Sequence, residues 1–213
     1  MNACEIISVL RSKLEEENKY ILNHPVISRA IEGSLPMDAI RKFVVNQLYI
    51  VPYDMRSLSK LLARSKYDDE VKFFKLCVDG DYQAYIELVK LANEVGIKLE
   101  SEEVIARYLS PKAVAYTHYL AWLANYASLG EAAVALVINL PIWGNNVGRL
   151  GKALKEKYGI KEVGFFELFS RPYDELERLS YPIIERYVDM VRYELVSRMI
   201  QSYERMFWDS LLE

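Results

Sequence analysis

The chain has 213 residues, of which 52% are hydrophobic and 27% are charged, with a formal net charge of −3 at pH 7. This composition supplies enough apolar residues for a core and excludes a disordered or low-complexity protein. Lysines and arginines are interleaved with acidic residues, so the basic stripe of a typical nucleic-acid-binding protein is missing. Two cysteines, Cys4 and Cys77, are too few for a disulfide framework and indicate a reducing compartment.

The sequence shows no targeting or membrane-spanning pattern. Its first residues include acidic side chains and lack the long apolar run of a signal peptide. The longest apolar stretch, residues 132–143, is interrupted by Asn139 and Pro141 and is too short to span a bilayer. We therefore expect a cytoplasmic protein that binds neither nucleic acid nor membranes.

Hydrophobic residues recur three or four positions apart through most of the chain, which is the spacing of an amphipathic helix. In chain order, this periodicity and the start and stop residues predict helices over residues 3–22, 25–33, 36–65, 68–96, a short segment from 101, 111–129, 131–157, a short segment around 165–169, and 173–211. We expect interruptions at Asp79-Gly80 and at Pro52, Pro141 and Pro182. No alternating pattern is long enough for a strand, so the sequence predicts one all-α domain over residues 1–213, of about seven or eight helices.

Common metal-binding and nucleotide-binding motifs do not occur in the sequence. Neither His24 nor His118 follows a Glu by three positions, and there is no paired CxxC, so we predict no metal site and no cofactor. A capping or interhelix hydrogen bond is the expected role of His24. Three glycines spaced by four and three residues do not follow a strand and predict close helix packing rather than phosphate binding: Gly144, Gly148 and Gly151.

Aromatic residues and one acidic residue near the C-terminus are the remaining candidates for a site. The aromatics with helical spacing favour core packing over a ring-stacking pocket, and both remain open: Tyr49, Tyr53, Tyr116, Tyr119, Trp122 and Tyr126. Glu204 is flanked by large apolar residues. If Glu204 is buried, its pKa rises and it becomes a usable proton donor. The alternative is an exposed Glu that pairs with a nearby Arg, and the spacing does not decide between the two.

Several short motifs, in order along residues 20–210, resemble those of the TenA-type thiaminase II family. They are His24-Pro25, Gly33-Ser34-Leu35-Pro36, Phe43 with Asn46-Gln47-Leu48-Tyr49, Ala115-Tyr116-Thr117-His118-Tyr119-Leu120, Gly130-Glu131-Ala132, Leu140-Pro141-Ile142-Trp143, and Tyr203-Glu204 with Phe207-Trp208-Asp209. The ordered set is more specific than any single motif. It identifies the chain as a divergent member of the superfamily that also includes haem oxygenase and PqqC-like proteins.

The resemblance implies a haem-oxygenase-like helical bundle around a buried central pocket. Members of the family hydrolyse an aminopyrimidine, or thiamin itself, and release hydroxymethylpyrimidine. A Cys attacks the pyrimidine ring, an Asp binds ring nitrogens, aromatic residues stack on the ring, and a C-terminal Glu moves protons. The resemblance also implies a homotetramer or homodimer whose small-molecule partner is a pyrimidine-like heteroaromatic compound.

Carried over by position, the resemblance places substrate-binding roles on six residues: Tyr116, Phe169, Leu48, Tyr49, Ile142 and Asn146. The catalytic acid corresponds to Glu204. Three family positions differ in this sequence: Ile142 replaces the nucleophilic Cys, Leu48 replaces the pyrimidine-binding Asp, and Asn146 replaces a downstream Tyr. We therefore expect a Cys-independent thiamin-salvage hydrolase with Glu204 as the general acid/base. Polar residues that are candidates to replace the lost groups are Asn145, Asn146, Asp54 and Tyr53.

Other interpretations use the same scaffold. A metal-dependent oxidative enzyme similar to PqqC would need His and Asp around residues 166–177, and this segment contains no His. A protein that acts on, or only binds, a different small heteroaromatic ligand would suit the apolar residues Leu48 and Ile142. The presence of Glu204 favours an enzyme, because an acid is costly to bury without a purpose.

Overall fold

The computed structural model describes residues 1–97 and 107–213, and within them no β-strand occurs. The helices are α1 (Ala3–Lys13), α2 (Glu15–Leu22), α3 (Pro25–Glu32), α4 (Met37–Arg64), α5 (Asp68–Glu94), α6 (Pro111–Tyr126), α7 (Leu129–Tyr158), α8 (Gly164–Phe169), α9 (Asp174–Arg186) and α10 (Met190–Ser210). The all-α prediction is confirmed. The short helix predicted from Ser101 lies outside the described residues. Among the described helices, none is both long enough and apolar enough to cross a membrane.

Two of the predicted long helices are each divided into two. The segment 3–22 breaks at Leu14, whose φ of −104° and ψ of 8° are not helical, and whose side chain is buried. The segment 173–211 breaks between α9 and α10, where the Asp189 side chain accepts a hydrogen bond from the Arg192 amide at 3.1 Å. An N-cap of this kind satisfies a backbone donor and starts a new helix.

The expected interruptions inside helices do not break them. Helix α4 continues through Pro52, α7 through Pro141 and α9 through Pro182, and α5 continues through Asp79-Gly80. A proline in a helix costs about 3 kcal/mol because it removes one hydrogen bond and crowds the preceding turn. Long helices that are buried on both sides of the proline can offset this cost, since packing of the apolar face supplies most of a helix's stability.

Helix α7 is the centre of the fold. Residues 129–139 are all buried, and α7 contacts α3, α8, α9 and α10. Its first turn is stabilised by a capping box, in which Ser128 Oγ accepts from the Glu131 amide at 3.1 Å and Glu131 Oε2 accepts from the Ser128 amide at 2.9 Å. Gly130, which lies between the predicted helices 111–129 and 131–157, is therefore inside α7. The opposite end stops at Gly159 with a φ of 70°, as the sequence predicts.

The glycines on α7 bring α8 into close contact with it. A Cβ atom on Gly144 would lie 2.3 Å from the Phe169 carbonyl oxygen, and one on Gly151 would lie 2.3 Å from the Phe166 Cβ. On Gly148 the same atom would lie 2.8 Å from the Ser170 Cβ. The prediction of close helix packing is confirmed, and this packing positions Phe169 and the start of the following connection.

Candidate functional site

A cavity of about 360 Å³ is lined by residues of α4, α5, α6, α7, α8, α9 and α10. This volume is within the usual range for small-molecule sites. The residues that line the cavity are Gln47, Ile50, Val51, Asp54, Leu58, Leu76, Cys77, Gly80, Asp81, Tyr116, Leu120, Leu136, Leu140, Trp143, Leu168, Phe169, Arg171, Pro172, Tyr173, Glu175, Leu176, Glu204 and Phe207. Most of them are apolar or aromatic, with a few polar groups among them.

The exposed lining residues mark the mouth of the cavity. Leu76 and Gly80 on α5 face Arg171 and Glu175, which lie on or just before α9. The deepest residues are buried and include Glu204, which is 1% exposed. Solvent therefore reaches the cavity between α5 and the connection from α8 to α9.

One face of α4 contributes to the wall. Gln47, Ile50, Val51, Asp54 and Leu58 are three or four residues apart, and this spacing places them on the same side of the helix. Two residues that the resemblance singled out on α4 are absent from this lining. Successive residues of a helix point about 100° apart around its axis, so the neighbours of a residue that lines the cavity point in other directions. The two absent residues are Leu48, which packs against the apolar core, and Tyr49, whose hydroxyl lies 3.3 Å from His118 Nε2.

The polar residue of this motif that faces the cavity is Gln47. Leu48 was expected at the ring-binding position, but it does not line the cavity. Gln47, the residue before it in the chain, lines the cavity instead. Sequence reasoning missed Gln47. Its spacing of three residues from Ile50 and seven from Asp54 is the signal that would have identified it.

Helix α7 contributes Leu136, Leu140 and Trp143, again at helical spacing. Ile142 is partly buried against the apolar core and does not line the cavity. Asn146 also lies away from it, because its Nδ2 donates to the Ile21 carbonyl at 2.8 Å and so anchors the end of α2. The side chains at these two positions therefore contact other parts of the fold, and the sequence-based expectation of substrate contacts does not fit their placement.

Glu204 on α10 is buried in the cavity wall rather than exposed beside an arginine. Its Oε2 accepts from Asn139 Nδ2 at 2.6 Å, and its Oε1 accepts from Trp208 Nε1 at 3.0 Å. Burial raises the pKa of Glu204 to about 8, although these two hydrogen bonds oppose the shift. The carboxyl group is therefore protonated at neutral pH and can act as an acid.

Asn139 links Glu204 to Tyr116. The Tyr116 hydroxyl donates to Asn139 Oδ1 at 2.9 Å, and Asn139 Nδ2 also lies 2.8 Å from Gln201 Oε1. Burial, followed by the negative charges of Asp54 and Glu204, raises the pKa of Tyr116 well above its ordinary value. Tyr116 is therefore a neutral hydrogen-bond donor beside the acid.

The other aromatics of α6 do not line the cavity. Tyr126 is 76% exposed and Trp122 is 38% exposed, while Tyr119 packs against Tyr203 with ring centroids 5.0 Å apart. Tyr53 on α4 is also exposed. Most of the periodic aromatics are thus core or surface residues, and Tyr116 is the one at the cavity.

A group of aromatic rings forms one wall of the cavity. The Trp143 ring centroid is 5.3 Å from that of Phe207 and 6.1 Å from that of Phe169. Tyr173 donates from its hydroxyl to the Phe169 carbonyl at 2.7 Å. Sequence reasoning found Phe169 but missed Trp143, Phe207 and Tyr173. Phe207 is three residues after Glu204 on the same face of α10, which is a signal available in the sequence.

A second acidic group lies on the α4–α5 side of the cavity. Burial raises the pKa of Asp54 to about 7, and the neighbouring Thr117 hydroxyl opposes this shift only in part. Burial, and then the charge of Asp54, also raises the pKa of Asp81 on α5. Sequence reasoning named Asp54 as a replacement polar group but missed Asp81, whose proximity to Asp54 depends on how α4 and α5 pack.

Cys77 is the cysteine on the cavity wall, one turn before Asp81. Burial raises the pKa of its thiol, which keeps it protonated. Reactive cysteines have a lowered thiol pKa, so Cys77 lacks the activation that a nucleophile needs. Cys4 is exposed on α1, away from the cavity.

The histidines do not contribute to the cavity. His24 Nδ1 accepts from the Val26 amide at 3.3 Å, and its Nε2 lies 3.1 Å from Asp209 Oδ1, so the predicted capping role is confirmed. In the described ranges, no three His, Cys, Asp or Glu side chains are grouped as a metal ion would require.

Comparisons with known proteins agree with this architecture. A search of curated protein sequences finds no significant match. Among solved structures, the chain is similar to a TenA homologue from Pyrococcus furiosus, with 22% identity, a TM-score of 0.79 and coverage of 97% of this chain and 99% of that one. It is also similar to a putative TenA-like thiaminase from Sulfolobus solfataricus, with 18% identity, a TM-score of 0.71 and coverage of 97% and 95%.

A third solved structure of the same fold is haem oxygenase-1 from the cyanobacterium Synechocystis in complex with haem. It is 11% identical, with a TM-score of 0.68 and coverage of 97% of this chain and 90% of that one. These likenesses establish a haem-oxygenase-like helical fold. The sequence model of the TENA/THI-4/PQQC family matches residues 11–213, which is nearly the whole chain. The protein therefore belongs to the TENA/THI-4/PQQC family.

Proposed function

We propose that the protein is a TenA-type hydrolase that releases hydroxymethylpyrimidine from an aminopyrimidine, with Glu204 as the general acid/base and without a covalent intermediate. The observation that carries this proposal is the environment of Glu204. It is a buried carboxyl group on the wall of a ligand-sized cavity, held by Asn139 and Trp208, with a pKa raised to about 8 by burial. Membership of the family supports the substrate class.

The proposed step breaks the bond between the exocyclic methylene carbon of the pyrimidine and its amine nitrogen. Protonated Glu204 gives its proton to the leaving nitrogen as this bond breaks. A water molecule forms the new carbon–oxygen bond, and the Glu204 carboxylate then takes a proton from that water. The products are hydroxymethylpyrimidine and ammonia, and Glu204 returns to its protonated form. Acid–base catalysis of this kind contributes about 10²–10⁴-fold.

Water is the nucleophile in this proposal because the cavity offers no activated thiol. Ile142 lies outside the cavity, and the raised pKa of Cys77 keeps its thiol protonated. A carboxyl group that is protonated at neutral pH suits the departure of an amine, since the proton is already in place.

The aromatic wall supports a planar ring as the ligand. Trp143, Phe169 and Phe207 are arranged edge to face, so each leaves part of a ring surface to contact a flat heterocycle. Tyr116, at the other end of the Asn139 amide, supplies a hydroxyl beside the proposed acid. These groups would orient the pyrimidine with its exocyclic carbon near Glu204.

The test is to incubate the purified protein with aminomethylpyrimidine and with thiamin, and to detect hydroxymethylpyrimidine by chromatography. We expect product from the wild type and none above background from Glu204→Gln. The matched control is Glu194→Gln, which changes an exposed acid on the same helix that pairs with Lys13. A folded wild type that yields no product, or Glu204→Gln with unchanged turnover, would contradict the proposal.

A further inference from the structure

The Asp54 carboxyl group has an unpartnered oxygen in the cavity. Its side chain is 8% exposed and lines the wall, and within residues 1–97 and 107–213 neither its Oδ1 nor the neighbouring Thr117 hydroxyl has a hydrogen-bond partner at normal geometry. Leaving a buried polar atom without a partner is costly, and in native structures such atoms call for an explanation. A ligand group that donates a hydrogen bond to Oδ1 would satisfy this atom.

Asp81 adds a second carboxyl group to the same part of the wall. It lies on α5, which packs extensively against α4, and both side chains line the cavity. Two neighbouring carboxyl groups in a poorly solvated site hold one proton between them over a wide pH range. The pair therefore keeps a proton at neutral pH and gains its negative charge as Asp54 ionises around pH 7.

No cation in the lining compensates this charge at close range. Arg171 is the single basic residue among the lining residues, and it is exposed at the mouth. The other side chains of the lining are mostly apolar, and they include Leu58, Leu76 and Leu120. An acidic pair in such surroundings attracts a positive charge more strongly than it would in water.

We propose that Asp54 and Asp81 form a subsite for a cationic nitrogen group, an ammonium or an amidinium, carried by an aromatic ligand. This proposal rests on the proposed function, which makes the cavity the binding site of an aromatic ligand. It adds that the ligand carries a positive charge. Amidinium and ammonium groups have several N–H donors and form charge-assisted hydrogen bonds with carboxylates. The donors would reach Oδ1 of Asp54.

An organic cation fits these residues better than a metal ion does. Hard divalent cations prefer six or more oxygen ligands. Within the described part of the chain, the pair is not joined by a third His, Cys, Asp or Glu in a metal-binding group. The apolar and aromatic residues of the lining would instead pack against the carbon atoms of an organic ligand.

The aspartate subsite and Glu204 are different parts of one cavity, and we expect a single ligand to contact both. Tyr116 lines the same cavity as Asp54, Asp81 and Glu204 and is linked to Glu204 through the Asn139 amide. A ligand that extends past Tyr116 would place its cationic end at the aspartates and its other end near Glu204. The aspartates would bind the ligand, and Glu204 would carry out the chemistry.

The test compares benzamidine, an aromatic amidinium, with benzamide, its neutral isostere, by isothermal titration calorimetry. We expect the wild type to bind benzamidine at least about tenfold more tightly than benzamide, a difference that corresponds to about 1.4 kcal/mol. Asp54→Asn and Asp81→Asn should each reduce this ratio to near one. The ratio is measured within one variant, so a change in the fraction of folded protein does not alter it.

The matched control is Asp79→Asn, which removes an exposed charge from the same helix as Asp81 and outside the cavity. It should keep the wild-type ratio. Glu204→Gln should also keep the ratio while losing turnover, so failure of this subsite and failure of the proposed function are distinguishable. Affinity should rise as the pH passes through about 7, where Asp54 ionises.

Three outcomes would overturn the subsite. They are equal wild-type affinities for the two ligands, no measurable binding of benzamidine at millimolar concentration, and competition by Mg²⁺ that shows the pair to be a metal site. For the pH experiment, the other titratable groups that line the cavity are Cys77 on α5, Tyr116 on α6, Tyr173 before α9 and Glu204 on α10, with Arg171 and Glu175 at the mouth.

Discussion

The side chain of Asn139 on α7 donates to Glu204 on α10, with Nδ2 2.6 Å from Oε2, while its Oδ1 accepts from the Tyr116 hydroxyl at 2.9 Å. A single amide thus orients the proposed acid and a neighbouring donor from a third helix. Asn139 is 1% exposed, so these hydrogen bonds are protected from competition by water. The geometry of the acid therefore depends on a residue outside the lining of the cavity.

Asn139→Ala should lower both stability and activity. Removing the amide leaves the Tyr116 hydroxyl and the Gln201 carbonyl oxygen without a partner, and we expect a loss of about 2–4 kcal/mol in the free energy of unfolding. The pKa of Glu204 should rise further, because its hydrogen bond from Asn139 opposes the effect of burial. Urea unfolding and the pH profile of kcat measure the two effects.

The control for this change is Asn145→Ala, on the same helix but exposed. It should alter the free energy of unfolding by no more than about 0.5 kcal/mol. Equal effects of the two substitutions would show that the hydrogen bonds of Asn139 do not matter.

The pH dependence of kcat should reveal the proton held by Glu204. The acid form donates the proton, and the pKa of Glu204 is about 8 because the group is buried. We expect kcat to be nearly constant below this value and to fall about tenfold per pH unit well above it. Steady-state rates from about pH 6 to about pH 10 measure the profile. A rate that keeps rising through pH 8 would mean that the ionised form is the active one.

Asp54→Asn should stabilise the protein at alkaline pH. The folded-state pKa of Asp54 is raised by burial from 3.8 to about 7, so the folded protein binds this proton more tightly than the unfolded chain does. The contribution of Asp54 to stability is complete below its unfolded pKa and is lost as the pH rises through about 7. We expect the variant to gain about 2–4 kcal/mol at about pH 8 and little at about pH 4.

Chemical unfolding of the wild type and the variant at both pH values tests this expectation. Asp79→Asn is again the control, because an exposed ion pair contributes less than about 1 kcal/mol. A difference between wild type and Asp54→Asn that does not change with pH would show that Asp54 titrates normally. Stabilisation together with the loss of benzamidine binding would show that the acid is kept for a ligand rather than for folding.

Two Gly→Ala substitutions should have opposite effects on stability. Gly151→Ala would place a Cβ 2.3 Å from the Phe166 Cβ and push α7 away from α8, at a cost of about 1–3 kcal/mol. Gly80→Ala, inside α5, meets nothing within 4 Å and should add about 0.5–1 kcal/mol, since alanine favours a helix over glycine. Thermal unfolding of both variants gives the comparison. Stabilisation by Gly151→Ala would contradict the close packing of the two helices.

The helices were largely predictable from the sequence, because apolar spacing reports directly on amphipathic helices. The positions at which the helices break were harder to predict. Pro52 and Pro141 are strong local signals, yet the packing of the helices on both sides outweighs them. The breaks at Leu14 and near Asp189 depend on local capping and burial, which the periodic pattern does not contain.

The site was predictable only in part, because a helix repeats its facing residues every three or four positions. Motif alignment located α4 correctly but selected Leu48, while the residue that faces the cavity is its neighbour Gln47. Glu204 was found because it matches the Glu of the family's C-terminal motif, while its apolar neighbours left burial and exposure both open. Asp81 could not be found in this way, since its partner Asp54 lies on another helix and only their packing brings the two together.

The segment of residues 169–173, which lines one side of the cavity mouth, is attached to α7. Gly144 lets α7 approach the Phe169 carbonyl, Tyr173 donates to the same oxygen at 2.7 Å, and Ser170 rests on Gly148. The segment that carries Arg171 is thus held against α7 on both sides of that residue. Leu76, an exposed side chain on α5, lines the cavity on the other side of its mouth. One rim of the entrance is thus tied to the central helix of the fold, whereas the other is a side chain exposed to solvent.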